Sequence, residues 1–295
     1  MALAQRILEV PSIRRNDTLR SFIVGAWLGW QIESNWASPG LFAIYSIARP
    51  VASVLILVVM YSVITDGALD DPLFAYIYLG NALYIIVSSA VSGISWAVID
   101  DREHYRVNKQ LHTTPMNHFA YLVGRGVARF FIGLISVAIT VGFGLIAFRL
   151  PLSFAQVNWG LLLPALIFGV ASMGAMGLIL ASVTMQMARH FWTVGESVTG
   201  ALYLFTGAIF PLDVLPAFLR PIGYIFPVTY WLEAMRRALI PNSPRFETLA
   251  WLTDAGLIAV LAFSTIVLSW ASLRIYRWSL FQSKEKGIID MESNY

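Results

Sequence analysis

Cysteine is absent from this chain of 295 residues, and charged residues make up only 13% of it. Without cysteine the chain forms no disulfide and has no thiolate nucleophile. The phosphate-binding pattern Gly-x-x-x-x-Gly-Lys-Ser/Thr is also missing, so we expect no ATP hydrolysis by the chain itself. The net charge is a modest +3 with no basic stripe, which argues against a nucleic-acid partner.

Signals for catalysis or metal binding are equally sparse. The chain has four histidines and neither an HExxH pattern nor a Gly-x-Ser-x-Gly elbow, so we assign no catalytic, cofactor-binding or metal-binding residue. His104 and His112 are spaced to share a helical face, but histidines beside charged loops are ordinary at a membrane interface. The N-terminal stretch also lacks the apolar core of a secretory signal, because Arg6 and Glu9 interrupt it.

Apolar residues dominate instead, at 58% of the chain and a mean hydropathy of +0.68. A hydrocarbon layer of about 30 Å is crossed by about 20 helical residues, and six runs reach that length. We therefore predict an all-α membrane protein with a single transmembrane domain, in which residues 1–40 precede the spans, 41–273 contain them and 274–295 form a tail. The predicted spans are Leu41–Ile64, Leu73–Val98, Gly126–Phe148, Trp159–Val183, Trp192–Phe210 and Trp251–Leu273.

Lysine and arginine lie before the first span and after the second, fourth and sixth, whereas the first loop opposite carries Asp66, Asp70 and Asp71. Because cations near span ends stay on the cytoplasmic side, we predict cytoplasmic termini in a cell membrane. The loop after the fifth span is an exception, and we expect its cations at headgroup level or paired with Asp213 and Glu233. These cations are Arg220, Arg236, Arg237 and Arg245.

Apolar residues recur at helical spacing ahead of the first span, and polar residues fall largely between them. This pattern predicts an amphipathic helix in the cytoplasmic interface, with its tryptophans at headgroup depth. A helix packed on a partner protein is the alternative. The apolar positions are Leu19, Phe22, Ile23, Ala26, Trp27 and Trp30.

Prolines interrupt the segment that follows the fifth predicted span. Proline lacks an N–H and crowds the preceding turn, so one continuous helix cannot run through this segment. Broken backbone cannot face lipid either, because unpaired amides there cost several kcal/mol each. We predict a re-entrant helical hairpin shielded by neighbouring helices. Its marker residues are Gly207, Pro211, Pro216, Pro227 and Arg236.

The densest polar segment of the chain runs from Asp100 to Pro115, directly after the second predicted span. The span is expected to continue into it as a helix, and Pro115 ends that helix or begins the next one. A solvated loop that merely carries the cytoplasmic cations is the simpler alternative.

In this order, the features resemble the permease subunits of type-2 ABC transporters, nearest to the branch that exports drugs and lipooligosaccharides. The resemblance covers the interfacial helix, the six spans, the Thr-Pro ending of the polar segment and the spacing Gly207-x-x-x-Pro211-x-x-x-x-Pro216. It implies that the polar segment forms a coupling helix that docks on an ATPase subunit. Many relatives carry Gly-Thr-Leu-Glu where this chain has Arg106-Val-Asn-Lys109, a departure that bears on the ATPase contacts. The implied coupling residues are Glu103, Arg106, Lys109, Leu111, Thr114 and Pro115.

The resemblance also implies two ATPase subunits, which would bind ATP and Mg, and a second permease chain, identical or related. It directs the transport pathway to the second and fifth spans. Small hydroxyl residues in membrane helices more often serve helix packing, which is the alternative to a pathway role. Gly169, Gly174 and Gly177 in the fourth span are also expected to serve helix packing. The candidate pathway residues are Tyr78, Asn81, Tyr84, Ser88, Ser197, Thr199, Tyr203 and Thr206.

Arg49 and Glu196 are ionisable residues inside predicted spans, where such residues are candidates for function. The long side chain of Arg49 can reach the headgroups, which is the simpler interpretation. Glu196 is expected to pair with Arg189 or to face a seam between two permease chains.

Taken together, these patterns predict the membrane-spanning half of an ATP-driven exporter, not itself an enzyme, with an amphipathic cargo such as a drug, lipid or glycolipid. One alternative is a gradient-driven transporter or channel without an ATPase. Another is a membrane enzyme that acts on lipids, for which the only cluster of suitable residues is Glu103, His104, His112 and His118.

Overall fold

The computed structural model describes residues 16–35, 38–152, 156–187, 191–240 and 247–287. Within these ranges the chain is helical and contains no strand, which confirms the prediction of an all-α protein. Arg6, Glu9, Arg189, His190 and Arg245 lie outside the described residues. The helices are α1 (Asp17–Ser34), α2 (Pro39–Ile64), α3 (Pro72–Ile99, continued by a π-helical turn Asp100–His104), α4 (Asn108–Thr113), α5 (His118–Ala147), α6 (Trp159–Gln186), α7 (Phe191–Phe205), a 3₁₀ turn (Leu212–Val214), α8 (Arg220–Ile225), α9 (Pro227–Leu239), α10 (Glu247–Ala250) and α11 (Asp254–Glu285).

Short polar residues fix the starts of most of the long helices, whereas α2 begins at Pro39 without a side-chain cap. In each capped helix a side-chain oxygen just before the helix accepts a hydrogen bond from an amide in the first turn, where no intrahelical acceptor exists. Asn117, for example, accepts from the Ala120 amide at 3.1 Å, and Asn158 accepts from the Leu161 amide at 3.3 Å. The residues that cap helices in this way are Asn16, Asp71, Asn117, Asn158 and Thr253.

Within the described ranges, five helices are long and apolar enough to cross a membrane: α2, α3 with its π-helical turn, α5, α6 and α11. They correspond to five of the six predicted spans. The segment predicted as the fifth span, Trp192–Phe210, forms the shorter α7, which has 15 residues and ends at Phe205. The helix ends there because Gly207 turns the chain with a φ of +78°, a left-handed conformation that glycine adopts readily at helix ends.

Helix α3 lies at the centre of the bundle and contacts α2, α5, α6, α7 and α9. In its most apolar stretch 72% of the residues are buried, against 22% in α5 and in α11. The outer helices accordingly expose large apolar side chains, such as Ile56 on α2 and Phe263 on α11. In a soluble protein such surfaces would be unusual, whereas lipid accommodates them.

Helix α1 lies along the first half of α5 and runs in the same direction. Ser21 contacts Asn117, Gly25 meets the backbone of Tyr121, and Gly29 meets Ala128. The face that packs on α5 therefore consists of small residues, which let the two backbones approach closely. The larger apolar residues of α1 lie beside this face, and Leu19 and Trp30 are largely exposed. The position of α1 in a membrane interface stays a prediction.

Candidate functional site

A cleft of about 560 Å³ opens between α2, α3, α5 and α7. Hydroxyl and amide side chains line much of it, although the surrounding helices are strongly apolar. Five of the eight candidate pathway residues lie on its wall. They are Asn81, Tyr84, Ser88, Thr199 and Tyr203.

At one end of the cleft two tyrosines join α3 to α7. The Tyr84 hydroxyl donates a hydrogen bond to the Thr199 carbonyl, and the Tyr203 hydroxyl donates to the Asn81 side-chain oxygen. The two phenol rings also contact each other, with centroids 4.8 Å apart. Four candidate residues thus form one contact layer, which limits the cleft on the side toward the proline-rich segment.

The other three candidate pathway residues lie elsewhere. Tyr78 is fully buried, and its hydroxyl donates to the Thr140 carbonyl at 2.8 Å. Thr206 is also buried and bonds the Leu202 carbonyl of its own helix at 2.6 Å. Ser197 is exposed on α7 and does not line the cleft.

Charged side chains line the cleft as well. Arg49 and Glu196, both inside apolar helices, face into it. Arg129 and Glu33 pair with each other at its edge, and sequence reasoning did not single out either of them. The available signal for Arg129 was a cation inside a predicted span, since such residues mark functional surfaces.

A second polar region lies where α3 continues into its π-helical turn. Arg125 of α5 forms an ion pair with Asp101 at 2.7 Å and with Asp100 at 3.4 Å, and it also donates to the Tyr121 hydroxyl at 3.1 Å. His104 contacts Asp100 at 3.0 Å. Asp100, Asp101 and Arg125 are buried, so their ion pairs fix the end of α3 to α5. Among the described residues, no group of histidine, aspartate and glutamate side chains is arranged to hold a metal ion.

Arg102 joins the same end of α3 to the end of α6. Its guanidinium donates to the Met187 carbonyl at 3.0 Å and pairs with Glu103 at 2.8 Å. The side chain of Glu103, a candidate coupling residue, is only 10% exposed in this pair. Glu103 therefore lies where the polar segment joins α3, and not on the exposed surface of that segment.

The exposed part of the polar segment is α4 and the residues on either side of it. Arg106 leads into α4 with a φ of +52°, a left-handed conformation that is costly for a residue with a β-carbon. A glycine at this position would avoid that cost. Lys109 lies within α4, Leu111 packs against the bundle, and Thr114 and Pro115 are exposed after the helix.

The proline-rich segment forms short helices, as its prolines predict, with Pro221 in the first turn of α8 and Pro227 in the first turn of α9. The 3₁₀ turn follows directly after Pro211 and ends just before Pro216. The prediction that no single helix runs through this segment is confirmed. Pro221 and Pro227 stand where a helix lacks intrahelical partners for its first amides.

A buried ionic network fixes α9 against α3 and α11. Glu233 accepts a hydrogen bond from the Tyr76 hydroxyl at 3.0 Å and pairs with Arg237 at 2.8 Å, as expected for a cation of this loop. Arg236 lies over the Tyr76 ring, 3.8 Å from its centroid, and donates to the Gly207 carbonyl at 2.8 Å. The guanidinium passes so close to Gly80 that a β-carbon there would overlap with it.

Comparison of the chain with protein families identifies the family to which it belongs. A family model described as ABC-2 type transporter matches residues 24–240. The chain belongs to the ABC-2 type transporter family. No curated protein matches the chain.

Membership in the ABC-2 family makes the chain a multi-pass membrane protein and the membrane permease component of an ABC transporter. The matched region runs from within α1 to the residue after α9, so it contains the cleft, the polar region, α4 and the ionic network. The ABC-2 assignment also agrees with a chain that is not itself an enzyme.

Proposed function

We propose that the chain is the translocating half of an ATP-driven exporter, in which two permease chains work with two separate ATPase subunits. The observation that carries this proposal is the cleft, because it brings hydroxyl, amide and charged groups together inside an apolar bundle. Polar groups at membrane depth are costly unless they line a pathway or pair with one another. Since the cleft is open on one side, a second permease chain would complete it.

Helix α7 and the proline-rich segment together make the sixth crossing in this proposal. Trp231 of α9 packs against Gly169, ten residues after the start of α6. At 1.5 Å per residue, Trp231 lies about 15 Å along α6, or roughly half the depth of the hydrocarbon layer. This depth supports a re-entrant hairpin. The N- and C-terminal segments and α4 then share the cytoplasmic side, as the distribution of cations favours.

Helix α4 is the proposed docking element for the ATPase. It is short, and its exposed neighbours leave a surface that another protein can contact. Ion pairs at the end of α3 connect this surface to α5, and Arg102 connects it to α6. Closure of the ATPases would therefore move the inner ends of several spans together.

The proposed cargo is amphipathic. Tyr84 and Tyr203 offer aromatic surface at one end of the cleft, and Arg49 and Glu196 offer charge along it. An apolar body and a polar group can each find a matching surface in such a cleft. A drug, a lipid or a glycolipid has this composition.

The experiment that tests the proposal is co-purification of the tagged chain from mild detergent, followed by identification of every subunit that comes with it. We expect an ATPase subunit in equal amount whose hydrolysis responds to the permease. Solute transport by the purified chain alone, driven by an ion gradient and without ATP, would contradict the proposal.

Docking at α4 is tested separately by the Thr113→Glu variant, because Thr113 is exposed on this helix. We expect the variant to insert and fold but to lose ATPase binding or stimulation. Lys284→Gln is the matched control, since it makes the same charge change at an exposed position near the end of α11. Equal ATPase stimulation in both variants would show that docking occurs elsewhere.

A further inference from the structure

A groove of about 340 Å³ lies on a different side of the bundle from the cleft and shares no lining residue with it. Ala90 and Ile94 of α3 form its floor. One face of α5 forms one wall, and α6 with α11 forms the other. The lining is almost entirely apolar, and the only hydroxyls are those of Ser269 and Ser272.

The groove exists because its walls belong to different helix pairs. Helix α5 packs mainly on α1 and α3, and α6 packs mainly on α11 and α3, whereas α5 and α6 touch each other little. Gly174 of α6 lines the gap, and a β-carbon added there would meet no atom within 4 Å. The expectation that Gly174 serves helix packing is therefore wrong, because the space beside it is open.

The groove opens on a surface that faces hydrocarbon. Phe131 and Trp270 are sequence neighbours of lining residues, Ile167 lies three residues before the lining residue Val170, and each of the three is more than half exposed. An α-helix is about 10 Å across with its side chains, so two helical turns would not fit into 340 Å³. A flexible hydrocarbon chain does fit a narrow groove of this kind.

Cations lie at one end of the groove. Leu273 lines it, and Arg277 follows on the same face of α11 one turn later, where its side chain is exposed. Arg274 lies beside Leu273, 5.1 Å from the ring centroid of Trp270. Tyr276 and Phe119, with ring centroids 5.8 Å apart, close this end between α11 and α5. Basic groups beside an apolar groove between membrane helices attract anionic lipid headgroups.

We propose that this groove binds one phospholipid with an anionic headgroup. An acyl chain fills the space beside Gly174, and the phosphate lies at Arg277 and Arg274. The lipid comes from the leaflet next to the C-terminal end of α11. It fills the space between α5 and α6, which touch each other little. This site does not depend on the proposed exporter function, and its failure would leave that function untouched.

The test is native mass spectrometry of the full chain in mixed micelles with phosphatidylglycerol or phosphatidylcholine of identical acyl chains. We expect one retained phosphatidylglycerol and at least about tenfold less phosphatidylcholine, a ratio equal to about 1.4 kcal/mol. Equal retention of the two lipids, or retention of neither, would overturn the proposal.

Two pairs of variants separate the groove from its charged end. Gly174→Leu should remove the bound lipid, while Gly142→Leu, at another helical glycine with open space beside it, should keep it. Arg277→Gln should abolish the preference for the anionic lipid, and Lys284→Gln should preserve it. If Gly174→Leu fails to fold, Ala171→Leu on the same wall replaces it. A folded groove variant that retains phosphatidylglycerol like the wild type would disprove the site.

Discussion

The indole ring of Trp231 in α9 occupies the space that Gly169 leaves open on α6. A β-carbon at position 169 would lie 2.8 Å from Cγ of the ring and closer still to Cδ1. Trp231 is 1% exposed, so its ring has no solvent-filled space into which it can move. The position of the whole proline-rich segment thus depends on a missing side chain in another helix.

We therefore expect Gly169→Ala to lower the free energy of unfolding in detergent by about 1–3 kcal/mol, the usual cost of an overpacked core. Thermal unfolding followed by tryptophan fluorescence is the measurement. Gly174→Ala on the same helix should cause no loss, because the space beside it is open. Equal losses in the two variants would show that the contact with Trp231 does not decide the result.

Removal of the buried Glu233 carboxylate should lower the free energy of unfolding more than Gly169→Ala does. Glu233→Ala removes the buried carboxylate that pairs with Arg237 and accepts from the Tyr76 hydroxyl, so we expect a loss of about 3 kcal/mol or more in chemical unfolding. Asp254→Ala is the control, since the aspartate contacts the same arginine at 3.3 Å but its side chain is 39% exposed. Its loss should stay below about 1 kcal/mol. A larger effect at Asp254 than at Glu233 would contradict the proposed network.

Filling the cleft should block cargo without disturbing the fold. Gly200 of α7 lines the cleft, and a β-carbon there would meet no atom within 4 Å. We expect Gly200→Phe to assemble with the ATPase but to show no stimulation of ATP hydrolysis by cargo. Gly142→Phe, which has equally open space outside the cleft, should respond to cargo like the wild type. Normal stimulation in Gly200→Phe would exclude the cleft as the pathway.

The left-handed backbone of Arg106 predicts that glycine is more stable than alanine at this position. Arg106→Gly should be more stable than Arg106→Ala by about 1 kcal/mol, because both changes remove the side chain but only glycine removes the β-carbon. Comparison of the two variants in thermal unfolding cancels any contact that the arginine itself makes. A more stable alanine variant would argue for another conformation at this position.

The long helices and the broken helix after α7 were predictable from local chemistry. Apolar runs of sufficient length, capping residues such as Asn117 and prolines such as Pro227 act within a few residues of their position. The length of α7 was not predicted, because its apolar run continues past Phe205 and a single glycine conformation ends the helix.

The walls of the cleft and groove were harder to predict. Helices that are apolar all round carry no periodic signal, so the sequence does not tell which side of a helix meets a neighbour. Gly169 and Gly174 look alike in the sequence, yet one accommodates Trp231 and the other faces open space. Tyr78 and Tyr84 likewise lie on the same helix, but only Tyr84 lines the cleft.

The hydrogen bond between Tyr76 and Glu233 joins residues 157 positions apart, which has a consequence for biogenesis. At about 5–20 residues per second, the ribosome needs roughly 8–30 s to synthesise the intervening chain. During that interval α3 is already made, while the acceptor for its tyrosine hydroxyl does not yet exist. The packing of the central helix is therefore completed only after α9 has been synthesised, although the helix itself is among the first to be made.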